Sequence, residues 1–182
     1  FSYFKYPISE LEGKTFGIYG LGTIGLAVAK IAQAFNMRVI AYTRTPKSVD
    51  GIELVDKERI FTESDYLSFH CPLNEDSAKA VNERTLALMK PTAYLINTAR
   101  GGVVDELALR KALLEKQIAG AALDVLIAEP MAEDCPLFGL ENCIITPHIA
   151  WATLEARTRL IERVAENMAC FVNGAPINVV NK

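Results

Sequence analysis

The chain has 182 residues, 51% of them hydrophobic, enough for one large globular domain or one domain with a fragment attached. Its formal net charge of -3 provides no broad positive field for nucleic acid or an anionic membrane, which leaves a small molecule or another protein as partner. No apolar run is long enough to span a bilayer, and the four cysteines, Cys71, Cys135, Cys143 and Cys170, are irregularly spaced without a CxxC pair, so they read as reduced thiols of a cytoplasmic protein with no metal site.

In chain order, Phe1 to Tyr6 crowds four aromatics into six residues, with no initiator Met and no signal-peptide apolar region; it reads as the remnant of something that precedes it. From Thr15 onward β-rich runs alternate with helical patterns, the signature of βαβ units around a parallel sheet. Thr15 to Tyr19 is the first expected strand. Ile24 to Phe35, with Ile24, Val28, Ile31 and Phe35 at spacings of three and four, is the first expected helix. Arg38 to Tyr42, Tyr66 to Phe69, Ala93 to Asn97, Ala119 to Asp124 and Cys143 to Ile145 are further strands, nearly continuous in apolar character as when helices cover both faces. Helices are expected over Glu83 to Met89, over Asp105 to Lys116 with Asp105 as cap, and over about Leu154 to Phe171, which runs into Asn173-Gly174 and Pro176. Glu129 to Asn142 is the longest expected irregular segment.

Gly20-Leu21-Gly22-Thr23-Ile24-Gly25 follows the first strand and opens the first helix. In that context GxGxxG is a dinucleotide fingerprint: the glycines allow a tight turn, close approach of backbone to pyrophosphate and close helix packing, while the helix N-terminus offers unpaired N–H groups. The end of the second strand normally carries an acid for the ribose hydroxyls, yet here Tyr42 is followed by Thr43, Arg44 and Thr45, with Lys47 nearby. With no carboxylate to repel a 2'-phosphate and cations able to grip one, NADP is slightly favoured over NAD, although Arg44 could equally stack on adenine as a solvated loop cation.

Three later stretches leave expected strands, each with an ionisable side chain: Asn97-Thr98-Ala99-Arg100-Gly101-Gly102, Asp124 through Glu129-Pro130, and Thr146-Pro147-His148-Ile149-Ala150-Trp151. Ligands of doubly wound folds gather at the carboxyl ends of strands. Together with the glycine fingerprint, and in this order over about Leu11 to Phe171, these stretches make the chain resemble the D-isomer-specific 2-hydroxyacid dehydrogenase family. The resemblance implies that Arg100 binds the substrate carboxylate and carbonyl, that His148 is the acid/base and that Glu129 pairs with it. It also implies that Asp124 meets the nicotinamide end, and that His70-Cys71-Pro72-Leu73 and Thr98 line the cofactor cleft, with Ala99 and His148 beside it. Chemistry agrees: an imidazole suits the proton, a neighbouring carboxylate fixes its tautomer, and a guanidinium grips a carboxylate through two parallel bonds. Cys71 and Cys143 read as packing residues, and Asp105 and Glu106 as helix-start acids.

The His148-to-Trp151 stretch is most similar to the glycerate dehydrogenase, hydroxypyruvate reductase and glyoxylate reductase branch, so a small 2-hydroxy or 2-oxo acid is the expected substrate. The expected fold is a Rossmann-type doubly wound α/β parallel sheet: residues 1–10 a remnant of an interdomain connection, 11–150 the dinucleotide-binding domain, and 151–182 a C-terminal helix and stub of a substrate domain. The resemblance further implies a homodimer through the dinucleotide domain, and little turnover by that domain alone. The alternative is a dinucleotide-sensing scaffold similar to the C-terminal-binding-protein corepressors, which keep the Arg, Glu and His.

Overall fold

The computed structural model describes residues 8–45 and 48–180. Phe1 to Tyr6 and Lys47 therefore lie outside the described residues. By contacts the chain divides into two units, Phe1–Pro147 and His148–Lys182.

The first unit is built on strands β1 (Thr15–Tyr19), β2 (Arg38–Tyr42), β3 (Ile52–Leu54), β4 (Tyr66–Phe69), β5 (Tyr94–Asn97), β6 (Gly120–Leu123) and β7 (Cys143–Ile145). They form one seven-stranded sheet in the order β3-β2-β1-β4-β5-β6-β7, with every pairing parallel. Helices α1 (Thr23–Ala34), α2 (Lys57–Glu63), α3 (Glu83–Leu86) and α4 (Glu106–Leu114) connect them. The order reverses between β1 and β4, which neighbour each other although β2 and β3 intervene in sequence. This is the switch point at which doubly wound sheets bind ligands.

Alternation along the strands sends side chains to two cores. Ile18, Val39 and Ala41 pack with Ala29 and Ala32 of α1, while Tyr19, Ile40, Leu67 and Phe69 pack with Ile60 and Phe61 of α2, Leu86 of α3 and Leu109 and Leu113 of α4. Both faces are thus covered, the fold is Rossmann-like α/β, and near-continuous apolar strands are what such burial requires.

Two elements were not expected from the sequence. Strand β3 is three residues long with Glu53 at its centre, so no apolar run registers. Helix α2 has seven residues of which only Ile60 and Phe61 are buried; its start is fixed by the Asp56 carboxylate, which accepts from the Glu58 and Arg59 amides. Helix α3 ends at Leu86, earlier than expected, because the next turns close with tighter bonds from Leu88 N–H to Thr85 O and Met89 N–H to Leu86 O. The Asn82 cap and its reciprocal bond with Thr85 fix its start. Around β2, β3 and α2, Arg38 and Arg59 each pair with both Glu53 and Glu63, at 2.5 to 2.8 Å. These pairs hold both carboxyls below their usual range.

In the second unit Thr153 caps helix α5 (Leu154–Val172) by accepting from the Ala156 amide, and the helix gives way at Asn173 to Gly174 with φ +73°. No helix among the described residues is long and apolar enough to cross a membrane.

Candidate active site

The glycine loop lies at the switch point, and each glycine answers a different demand. Gly20 has φ +104°, and a Cβ there would come within 2.8 Å of the Cys71 backbone nitrogen, so the loop after β1 and the loop after β4 run against each other. A Cβ at Gly25 would fall 2.2 Å from the Gly20 carbonyl oxygen; this seats α1 on β1. At Gly22 a Cβ would meet nothing within 4 Å. Protein packing gives no reason for a glycine there, whereas a ligand approaching the backbone does. Gly22 is the N-cap of α1 and supplies no side-chain cap, and the first turn has no acid. The amides and positive dipole end of a 12-residue helix are therefore left for an anion.

Gly20, Gly22, Thr43, Arg44, Thr45, Cys71 and Pro72 line one cleft of about 380 Å³. Thr23 and Ile24 form the first turn of α1, Ile24 being 67% exposed. His70 is also in the cleft wall; its Nε2 lies 2.9 Å from the Ser68 hydroxyl, and burial lowers its pKa. Burial pushes the Cys71 thiol up and that of Cys143 up to about 11. Both stay protonated, as packing thiols and not nucleophiles.

One acid at this cleft carries no motif signature in the sequence. Asp76 lines the cleft, held by an ion pair to Lys57 and by the Tyr42 hydroxyl, which donates to it over 3.4 Å. Lys57 also sits 5.4 Å above the Tyr42 ring. Tyr19 stacks on Phe69 at 4.9 Å and tilts against Tyr42 at 4.8 Å. Its buried hydroxyl has no hydrogen-bond partner among the described residues, and burial drives its pKa up to about 12. The available signal for Asp76 was the Asn74-to-Ser77 turn, whose side chains bond their own backbone, but the pairing with Lys57 spans too much sequence to be read from it.

A second group of candidates lies at the same carboxyl edge, after β5 and β6. Asn97, fully buried at the end of β5, donates from Nδ2 to the Arg100 carbonyl at 2.9 Å and accepts the Ala99 amide at 3.0 Å. It thereby shapes the turn through Thr98, Ala99 and Arg100. Arg100 is exposed, and its Nη1 donates to the Ala99 carbonyl at 2.7 Å, one of five donors in a guanidinium. A Cβ at Gly101 would lie 2.0 Å from the Leu126 carbonyl, so only glycine lets this turn meet the one after β6. That second turn carries Asp124, 5% exposed, whose carboxylate accepts from the Thr146 hydroxyl at 2.6 Å. Further along it, Glu129 accepts the Leu126 amide at 3.0 Å. Glu106, expected only as a helix-start acid, also accepts the Ile127 amide at 2.8 Å.

His148 opens the second unit with φ +54°, a left-handed conformation uncommon outside glycine. The Trp151 indole N–H donates to the His148 carbonyl at 3.0 Å, so Trp151, 53% exposed, closes the turn that carries the imidazole instead of filling a core.

The sequence profile of the D-isomer specific 2-hydroxyacid dehydrogenase NAD binding domain matches residues 2–150. The chain is 49% identical over 177 residues to a glyoxylate reductase of Thermococcus litoralis, covering 94% of this chain and 53% of that protein. To a hydroxypyruvate reductase of Blautia hydrogenotrophica it is 41% identical over 183 residues, covering 99% of this chain and 57% of that protein. An acyclic imino acid reductase solved in complex with NADPH and D-Arg matches with a TM-score of 0.90 at 39% identity, over 100% of this chain and 59% of that one. The chain thus spans little more than half the length of the curated relatives it matches.

Proposed function

The chain belongs to the D-isomer-specific 2-hydroxyacid dehydrogenase family as its NAD-binding domain, and on that premise we propose that it serves an enzyme interconverting a small D-2-hydroxy acid and its 2-oxo acid, with glycerate and hydroxypyruvate, or glyoxylate, as preferred substrates. The observation that carries this reading is that one edge of one sheet presents both an anion-ready helix start with a free approach at Gly22 and the Arg100 turn.

The bound dinucleotide supplies the hydride for reduction or takes it up in oxidation. The chain's residues do the rest. The α1 amides would hold the pyrophosphate at Gly22. Arg100, its carbonyl fixed by Asn97, grips the substrate carboxylate with its remaining donors and orients the 2-oxo group. In oxidation the His148 imidazole accepts the proton of the C2 hydroxyl as the C2 hydrogen leaves as hydride. In reduction the imidazolium returns that proton to the forming alkoxide, so charge does not build up on oxygen. Glu129 stabilises the imidazolium and sets the tautomer of the neutral ring, and Asp124, fixed by Thr146, would face the nicotinamide end.

NADPH is the favoured cofactor. Arg44 lines the cleft and makes no ion pair among the described residues, whereas the acid in that cleft, Asp76, is neutralised by Lys57. The net cation beside the ribose suits a 2'-phosphate. Arg44→Ala should then erase a preference for NADPH over NADH; NADH binding at least about tenfold tighter to the wild-type protein contradicts it. The expected partner copy is a second identical chain, and the reduced state of the cysteines suits the cytoplasm.

The test is turnover of hydroxypyruvate and glyoxylate by the full-length enzyme. His148→Gln and Arg100→Ala should each lower kcat/KM by about 100-fold or more while dinucleotide affinity stays close to wild type. Near-normal turnover in either variant overturns the assigned roles.

A further inference from the structure

The cofactor cleft holds a charged acceptor that the reaction does not use. With the pyrophosphate at the α1 N-terminus and the adenosine ribose beside Thr43 and Arg44, the cleft lining left for the purine includes Asn74, Asp76 and Ser77 of the loop after β4. Asp76 is on that loop and lines the cleft. Its position is fixed from both ends. The Asn74 side chain accepts the Asp76 and Ser77 amides at 3.0 and 3.1 Å, and the Ser77 hydroxyl donates to the Pro72 carbonyl at 2.6 Å, so the backbone is locked in a turn. The carboxylate in turn is pinned by Lys57 on one oxygen and the Tyr42 hydroxyl on the other. A carboxylate offers about four acceptor positions. Two are used here, and the side chain is 34% exposed.

From this geometry we infer that Asp76 accepts a hydrogen bond from the 6-amino group of the adenine and so selects adenine dinucleotides over those carrying a 6-oxo purine. The inference rests on the proposed cofactor reading and deepens it. An amino group meets the fixed carboxylate as a donor, whereas the 6-oxo oxygen of hypoxanthine meets it acceptor to acceptor, a repulsive contact in a site that cannot reorient. Lys57 and Tyr42 act as positioning residues, because they hold the acceptor and cancel its charge without facing the base's donor.

The experiment compares the dissociation constants of NADH and reduced nicotinamide hypoxanthine dinucleotide for the full-length enzyme and its Asp76→Asn variant. The wild-type protein should prefer the adenine form by about tenfold or more. Asp76→Asn keeps one oxygen for Lys57 and replaces the other by an amide that can donate both to the Tyr42 hydroxyl and to the 6-oxo group, so the preference should shrink to within about threefold. Equal wild-type affinity for the two dinucleotides overturns the inference and leaves the cofactor reading standing, since both bind. An Asp76→Asn variant that weakens both alike, with the ratio unchanged, also overturns it, because a purely structural role has that signature. Binding of none of NADH, NADPH and the hypoxanthine form removes the cofactor reading and this inference together.

Discussion

A Cβ at Gly25 would lie 2.2 Å from the Gly20 carbonyl oxygen, while one at Gly22 would touch nothing within 4 Å. The same substitution should therefore fail in two different ways. Gly25→Val forces α1 off β1 and should cost about 3 kcal/mol or more of unfolding free energy, read from denaturant melts. Gly22→Val should cost no more than a helix-start effect of about 1 kcal/mol in the melt, yet lower dinucleotide affinity by about tenfold or more. Normal binding by Gly22→Val would show that the loop is not the cradle. His70 gives a test in pH. Burial lowers its folded pKa below the ordinary 6.5, so the unfolded chain binds the proton more readily. The stability owed to the neutral ring is complete above that ordinary value and is lost as pH falls through the folded pKa. Unfolding free energy should thus drop below about pH 6.5, at no more than about 1.4 kcal/mol per pH unit from this group. His70→Asn should flatten that slope; a slope unchanged by the substitution would place its origin elsewhere.

Elements were legible in the sequence where their apolar pattern was regular. The bounds of β1, β2, β4 and β7 match the expected runs, because mainly apolar residues between turn signals have few other solutions; β3, with Glu53 at its centre, and the mostly polar α2 offered no such pattern. Helix α1 holds the more instructive difference. Its periodic apolar residues, Ile24, Ile31 and Phe35, are 67%, 59% and 55% exposed, and the face it buries is the small one, Gly25, Ala29 and Ala32. Periodicity identified the helix, but the close approach set by Gly25 chose which side meets the sheet.

At the scale of the whole molecule, the β1–β4 switch point and the turns after β5 and β6 place the glycine loop, Arg100 and Asp124 along one carboxyl edge, although they are far apart in sequence. The identity of these residues was legible because each follows a recognisable strand with a chemically distinctive side chain. Their supports were not: Asn97 under Arg100, Thr146 under Asp124, and Lys57 with Tyr42 around Asp76 depend on contacts that only the folded sheet creates. The central claim, that this edge serves hydride transfer at a D-configured 2-hydroxy acid, is tested most directly by stereospecific oxidation. With the full-length enzyme and oxidised NADP or NAD, D-glycerate should yield hydroxypyruvate and reduced cofactor in equal amounts, L-glycerate should yield neither, and His148→Gln should abolish the D-specific rate. Oxidation of L-glycerate in preference to D-glycerate, or a D-specific rate that survives His148→Gln, would contradict the account.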